Sequence, residues 1–312
     1  MTGRILITPR SLSKGGHPGL APLEAAGYEL VFPSPGVTPS EADLVGAVPG
    51  CVGWLAGVEP ISEAVIRSAN ALRVISRNGT GIDNLPMAAV ETRRIAVKRA
   101  VGTNARGVAE LALGLTLAGL RDIVPTHIGI AAGDWPRRIG REMQEAEIGV
   151  IGLGSTGREY ARFALALGAQ VRGYDPFADA DDLAGPRFRA VPMTEALAGA
   201  NVLSLHAPMP DGGVAMIDAG ALARLAPGAV VVNTARAGLV DSDAMLAALE
   251  NGQVRAYATD VFDTEPPQPS PLLAHRHVIL TSHIGGFTRE SVERTTRRAV
   301  DNILEVLGVD GD

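Results

Sequence analysis

The sequence predicts an α/β protein of two domains, each a parallel sheet covered by helices. Three observations lead there. The 312 residues exceed one typical domain, and 46% hydrophobic against 20% charged residues is ample material for two cores. Short apolar runs alternate with helical stretches along the whole chain. A glycine-rich strand–turn–helix junction at residues 147–157 opens the second half.

In the first half, residues 5–8, 29–32, 52–55, 72–75 and 95–98 read as strands, with helices around Leu20, Asp43, Val65 and Ala89. Just past the fourth strand comes Arg77-Asn78-Gly79-Thr80-Gly81-Ile82-Asp83-Asn84. Ligands of open α/β sheets sit at such strand ends, and two glycines let N–H groups turn toward an anion beside the Arg77 charge, as a carboxylate site requires. A plain tight turn uses glycines in the same way. Residues 103–110 then open a helix that reaches Arg121, with Asn104 placed as its N-cap. Between Leu111 and Leu120 it carries no charged side chain, so burial on every face is expected, as at an interdomain or intersubunit position.

The junction reads Glu147-Ile148-Gly149-Val150-Ile151-Gly152-Leu153-Gly154-Ser155-Thr156-Gly157. Gly152 permits a tight turn, Gly154 lets backbone approach a pyrophosphate, and Gly157 lets helix pack on strand. The phosphates then lie at the helix N-terminus, over Ser155 and Thr156. Glycine turns also occur in ordinary βαβ units, and the context separates the two readings. The next strand, 170–174, ends at Asp175, within the roughly 20-residue offset at which an acidic side chain binds ribose hydroxyls. That carboxylate repels a 2′-phosphate, and neither Pro176 nor Phe177 brings a cation, so NAD is favoured over NADP. Arg172 precedes the strand end and is expected to face solvent.

Further strands fit 202–205, 230–233, 255–260 and 278–280, with helices at 157–167, 194–198, 219–225, 242–251 and 289–307. Four of the strands run into unusual polar residues: His206, Arg236, Asp260 and His283. Singly, each is the mark of a structural hydrogen bond. Together, at the edge that holds the glycine junction, they form a crevice. With Glu265 they offer an acid/base histidine, a carboxylate that tunes it and an arginine to clamp a carboxylate, as hydride chemistry on a 2-hydroxy acid requires.

Composition excludes other classes. The net charge of −6, with no dense basic run, argues against nucleic acid or an anionic membrane surface. Cys51 is the only cysteine, which rules out a disulfide framework and a cysteine-cluster metal site and suits a reducing cytoplasm; it is expected to be buried. The N-terminus lacks the regions of a signal peptide, and the longest apolar run, 111–120, is too short to span a bilayer. The proline-rich 266–271 reads as a rigid surface loop.

Over nearly its whole length the chain resembles the D-isomer-specific 2-hydroxyacid dehydrogenase family, of which phosphoglycerate dehydrogenase is the best-known branch. The resemblance rests on segments 77–84 and 104–110, the glycine junction, Leu205-His206-Ala207-Pro208 and Asn233-Thr234-Ala235-Arg236. It continues through Thr259-Asp260-Val261-Phe262, Glu265-Pro266-Pro267 and Ser282-His283-Ile284-Gly285-Gly286. It implies His283 as proton donor, Glu265 as the carboxylate raising its pKa, and Arg236 as the carboxylate clamp that polarises the carbonyl. A neighbouring carboxylate favours imidazolium, and guanidinium gives permanent bidentate recognition. The resemblance further implies cofactor contacts from His206, Thr234, Ala235 and Asp260, and substrate contacts from Arg77, Asn78, Gly79, Gly81 and Asn104. It implies a homodimer packed through helix 105–121. It also implies a discontinuous substrate domain, residues 1–100 with 285–312, around a NAD-binding Rossmann domain at 101–284.

There are departures. Phosphoglycerate-type members carry a cation in the loop after the third strand, where this chain has Trp54-Leu55-Ala56-Gly57-Val58; Arg106 or Arg137 are the remaining sources of charge. Ala237 replaces a usual glycine, and control through the C-terminal regulatory domain of some phosphoglycerate dehydrogenases is not expected. The expected function is an NAD-dependent oxidoreductase of a small D-2-hydroxy acid. Two alternatives stand beside it: a glyoxylate or hydroxypyruvate reductase, and an NAD(H)-sensing protein resembling the corepressors of this fold. Negligible turnover with retained NADH binding marks the sensor.

Overall fold

The structure, a computed structural model, describes residues 3–14, 16–82, 84–210 and 212–308; Asp83 of the glycine segment and residues 309–312 of the final segment lie outside the described residues. The chain divides into two compact units, Met1–Asn104 with Arg289–Asp312, and Ala105–Thr288.

In chain order the first unit runs β1 (Arg4–Ile7), α1 (Arg10–Ser13), α2 (Ala21–Ala25), β2 (Glu29–Val31), α3 (Glu41–Ala47) and β3 (Cys51–Ala56). It continues through α4 (Glu63–Ser68), β4 (Val74–Arg77), α5 (Met87–Thr92) and β5 (Ala96–Arg99). The second unit begins with α6 (Ala105–Leu120), α7 (Ile123–Ala131), β6 (Glu147–Ile151), α8 (Ser155–Ala166), β7 (Gln170–Tyr174) and β8 (Phe188–Ala190). Then follow α9 (Met193–Leu197), β9 (Val202–Leu205), α10 (Ala219–Leu222), β10 (Ala229–Asn233), α11 (Ser242–Glu250), β11 (Val254–Thr259) and β12 (Val278–Leu280). The last helix, α12 (Arg289–Leu307), returns to the first unit.

Both sheets are wholly parallel. The first has the order β2-β1-β3-β4-β5, the doubly wound order of flavodoxin-like sheets; the second, β12-β11-β10-β9-β6-β7-β8, is the Rossmann order with one added strand. In each the order reverses beside the first strand of the unit, which opens a crevice at the carboxyl edge.

Strand residues are buried on both sides because helices cover both faces. In the first unit Ile5 and Ile7 face Ala299, Val300 and Ile303 of α12, whereas Leu6, Trp54 and Ile75 face Leu44, Val65, Ile66 and Val90. The chain must therefore come back to finish the first core. In the second unit Ile148, Val150, Val230 and Val232 pack with Ala109, Ala112, Tyr160 and Ala161; Leu203, Leu205 and Val231 pack with Leu197, Leu222 and Met245. Caps fix the helix starts. Ser40 and Asp43 form a reciprocal capping box on α3, and Asp218 and Asp241 cap α10 and α11.

Several expectations need correction. Within the single chain α6 is not buried all round: Gly114 is exposed and Leu111, Leu113 and Leu117 are only partly covered, since a helix lying on a sheet turns just one side to it, so full burial of this helix calls for a partner surface. Arg172 does not face solvent. Its side chain is 18% exposed and reaches Glu147 at 3.8 Å, along the edge of β6 and β7. β4 begins at Val74, because Leu72 packs into the core from the preceding turn. α7 and the three-residue β8 were unread; β8 has a single buried residue, Phe188, too little for a period. Cys51 is buried as expected, which pushes its thiol pKa up.

Candidate active site

At the carboxyl edge of the second sheet, β6 turns into α8 through the glycine junction. Gly152 has φ +92°, and a Cβ there would stand 2.6 Å from both the His206 carbonyl carbon and the Ala207 nitrogen. A Cβ on Gly157 would lie 1.9 Å from the Gly152 carbonyl oxygen, so helix and strand touch backbone to backbone. Gly154, the N-cap of α8, has open space where its Cβ would be. Ser155 and Thr156 form the first turn, whose N–H groups and helix dipole suit a diphosphate. This cradle fits a dinucleotide.

Asp175 follows β7 directly. Its Oδ2 accepts from the Leu153 N–H at 2.8 Å, and its Oδ1 from the N–H groups of Phe177 at 2.9 Å and Ala178 at 3.1 Å. The carboxylate thus ties the glycine turn to the end of β7 and keeps about one of its four lone-pair positions free for a hydroxyl. After β9, His206 meets Ser204 Oγ through Nε2 at 2.9 Å, while its Nδ1 is buried without a partner among the described residues. Burial holds its pKa down to about 3, so the ring is neutral. After β10, the Thr234 hydroxyl is likewise buried without a partner, and the Ala235 N–H donates to Asn233 Oδ1 at 3.1 Å.

His283 and Glu265 come together. His283 Nδ1 lies 2.7 and 2.8 Å from the two carboxylate oxygens of Glu265, whose peptide bond to Pro266 is cis. The hydrogen bond to Glu265 raises the histidine pKa, against a desolvation that lowers it; the charges of Glu265 and Asp260 add to the rise and that of Arg236 opposes it. For Glu265, burial pushes upward but is outweighed by the hydrogen bond and charge of His283, so the carboxyl stays ionised. Arg236 is half-buried, with Nη1 on the Ala235 carbonyl at 2.7 Å, and its charge acts on both members of the pair.

Asp260 is 1% exposed and plays a part that the sequence did not show. It accepts from Thr281 Oγ1 at 2.6 Å and from the N–H groups of Ile284 at 2.8 Å and Gly285 at 2.8 Å. These bonds brace the loop in which His283 takes φ +55°, a left-handed conformation costly for a residue with a Cβ.

In the first unit, Arg77 ends β4, is 6% exposed, and donates from Nε to the Gly81 carbonyl at 2.9 Å. The Asn78 Oδ1 is buried without a partner among the described residues; Gly79, at φ +158°, has open space at its Cβ position. Asn104 immediately precedes α6. Beside this loop lies a group that sequence reading missed. Glu59, 1% exposed, accepts from the Gly57 N–H at 3.0 Å and from the Thr8 hydroxyl, which itself accepts from Trp54 Nε1 at 3.0 Å. Asn84 ties the two loops, donating from Nδ2 to the Glu59 carbonyl at 2.5 Å and accepting from the Ile61 N–H at 3.2 Å. An acidic residue just past a strand end was the available signal.

A cavity of 830 Å³ opens at the opposite edge of the second sheet, among Arg138, Asn201, Gly252, Arg255 and His277, and none of His283, Glu265, Arg236, Asp260, Asp175 or His206 lines it. Among the described residues there is no cluster able to hold a metal ion, and no helix long and apolar enough to cross a membrane.

Reduction of a carbonyl needs a hydride carrier and a proton source at one place, and the second sheet presents a dinucleotide cradle and a carboxylate-tuned histidine along one edge. In kind this is a nicotinamide-dependent oxidoreductase. Residues 113–285 match the model of the D-isomer specific 2-hydroxyacid dehydrogenase, NAD binding domain. The (S)-sulfolactate dehydrogenase of Chromohalobacter salexigens is 39% identical over 242 residues, 76% of this chain and 78% of that one. The D-3-phosphoglycerate dehydrogenase of Mycobacterium leprae is 34% identical over 268 residues, 85% of this chain; the match spans about half, 51%, of that longer protein. The crystal structure of the TT0316 protein from Thermus thermophilus superposes with a TM-score of 0.86 at 32% identity, covering 98% of this chain and 97% of that one. The chain belongs to the D-isomer specific 2-hydroxyacid dehydrogenase family, NAD-dependent oxidoreductases that act on the CH–OH group of their donors.

Proposed function

We propose that the chain interconverts a small D-2-hydroxy acid and its 2-oxo acid, with His283 as the acid/base. The observation that carries this is the grip of both Glu265 oxygens on His283 Nδ1, which leaves Nε2 as the nitrogen that exchanges a proton with substrate. When bound, NADH supplies the hydride that adds to the carbonyl carbon. His283 Nε2–H gives its proton to the carbonyl oxygen, and Glu265 offsets the imidazolium charge before that transfer. Arg236 holds the substrate carboxylate and draws charge toward the carbonyl oxygen. Thr234, Ala235 and Asp260 shape the cofactor side, and Arg77, Asn78, Gly79, Gly81 and Asn104 the substrate side.

The loop after β3 favours a substrate without a phosphate: residues 54–58 bring no cation, and the acidic group it sets beside the Arg77 loop is the buried Glu59, whose pKa burial pushes up. Glyoxylate and hydroxypyruvate suit such a site better than a phosphorylated acid does. A homodimer in the cytoplasm completes the reading. It is supported by the apolar surface of α7, where Ile128 is 59% exposed, and by a composition with one cysteine.

The test is NADH consumption across glyoxylate, hydroxypyruvate, phosphohydroxypyruvate and longer sugar-derived 2-oxo acids. His283→Ala is expected to lose roughly 10²- to 10⁴-fold in turnover while keeping NADH affinity. Unchanged turnover in this variant removes the role from His283.

A further inference from the structure

Glu59 is a buried carboxyl in a place where the fold has little need of one. It is 1% exposed, in the turn that leads from the buried Ala56 at the end of β3 to the buried Ile61. Its Oε1 accepts from the Gly57 N–H at 3.0 Å and from the Thr8 hydroxyl. Both donors have a second acceptor: Thr8 Oγ1 lies 3.3 Å from the Leu55 carbonyl, and the Gly57 nitrogen lies 3.3 Å from Thr8 Oγ1. Trp54 Nε1 donates to Thr8 Oγ1 at 3.0 Å and does not touch the carboxyl. Taking the carboxyl away would therefore orphan none of these donors, while keeping it costs desolvation. Burial pushes its pKa up, and the Thr8 bond, the Arg77 charge and the Gly57 bond only partly offset that.

The carboxyl does shape the chain between β3 and α4. By bonding back to Gly57, two residues earlier, it closes residues 57–59 into a turn, and through Thr8 it ties that turn to the end of β1. The carbonyl of Glu59 then stands where Asn84 Nδ2 donates to it at 2.5 Å, and the Asn84 carbonyl accepts from the Ile61 N–H at 3.2 Å. Asn84 closes the loop after β4, in which Arg77 Nε donates to the Gly81 carbonyl at 2.9 Å. The ends of β1, β3 and β4 are thus joined through one residue.

Resting on the 2-oxo acid reading of this chain, we propose that Glu59 is a positioning residue for the substrate: its side chain fixes the turn after β3 and, through Asn84, the setting of the Arg77–Gly81 loop on the substrate side. The role calls for an acceptor oxygen rather than a charge, since an amide oxygen can take the same two bonds.

The experiment compares Glu59→Gln, Glu59→Leu and Asn84→Ala in the full chain by steady-state kinetics with the best 2-oxo acid of the wild type, NADH titration and thermal unfolding. Glu59→Leu should raise KM for the 2-oxo acid about tenfold, the scale of one misplaced hydrogen-bonding group, with kcat and NADH affinity within about twofold of wild type. Its Tm should hold or rise, because apolar replacement of buried ionisable groups is often neutral or stabilising. Glu59→Gln should keep the wild-type KM. Asn84→Ala leaves the carboxyl in place and should raise KM in the same way, which keeps the result readable if Glu59→Leu folds poorly. An unchanged KM in either of these variants once folded, or a KM that rises as far in Glu59→Gln as in Glu59→Leu, overturns the inference and leaves the dehydrogenase reading standing. A Tm that falls in Glu59→Leu with KM unmoved assigns the carboxyl to the fold alone and overturns it too. A wild-type chain that reduces no 2-oxo acid removes both.

Discussion

The two nitrogens of His283 divide its work. Nδ1 is held by Glu265, and the imidazolium form is favoured because the carboxylate's hydrogen bond and charge outweigh desolvation. Reduction needs the protonated ring, so kcat/KM for the 2-oxo acid should be full at low pH and fall as pH rises through the raised pKa; oxidation should show the mirror dependence. Glu265→Gln removes the charge and lowers that pKa, so the falling limb of the reduction profile is expected at lower pH than in wild type. A limb that stays in place would show that another group controls it. The residues named for this chemistry were legible because their types are rare at strand ends. What was not legible is how Asp260 is spent: two of its three bonds are to backbone N–H groups, which carry no side-chain signal.

At the scale of the element, the glycine junction shows how narrowly the site is built. Gly157→Ala would place a methyl 1.9 Å from the Gly152 carbonyl oxygen, so α8 must lift from β6. The expected cost is about 1–3 kcal/mol of stability, the range for overpacking, with NADH binding weakened more than overall secondary structure. NADH fluorescence titration beside circular dichroism checks it, and undiminished NADH affinity would show that the turn tolerates a side chain. The strand–glycine–helix order was readable because backbone needs dictate it. β8 and α7 were not: β8 has one buried residue, and α7 has none.

At the scale of the whole molecule, α7 bears on assembly. None of its residues is buried, and Ile123, Ile128 and Ile130 are 52%, 59% and 50% exposed, with Trp135 at 78% just beyond. Apolar surface of this kind marks an interaction site, and a second copy is the partner expected. Sedimentation should show a dimer at micromolar concentration, with Ile128→Asp moved toward monomer; a wild-type chain monomeric at every concentration would refute the assembly.

Two parallel-sheet domains, the dinucleotide junction and the residue types of the crevice follow from the sequence, because apolar alternation, glycine at forced turns and rare polar residues at strand ends are local demands of backbone and burial. Tertiary structure alone decided the rest. α12 closes the first core, since Ile5 and Ile7 need a face that only a distant segment supplies. Glu59 lies beside the Arg77 loop because β3 and β4 are neighbours. Thr116 and Tyr160, 44 positions apart, meet through buried hydroxyls that no pattern in the sequence links. Hydrogen-bond direction depends on which groups meet, and only folding brings them together.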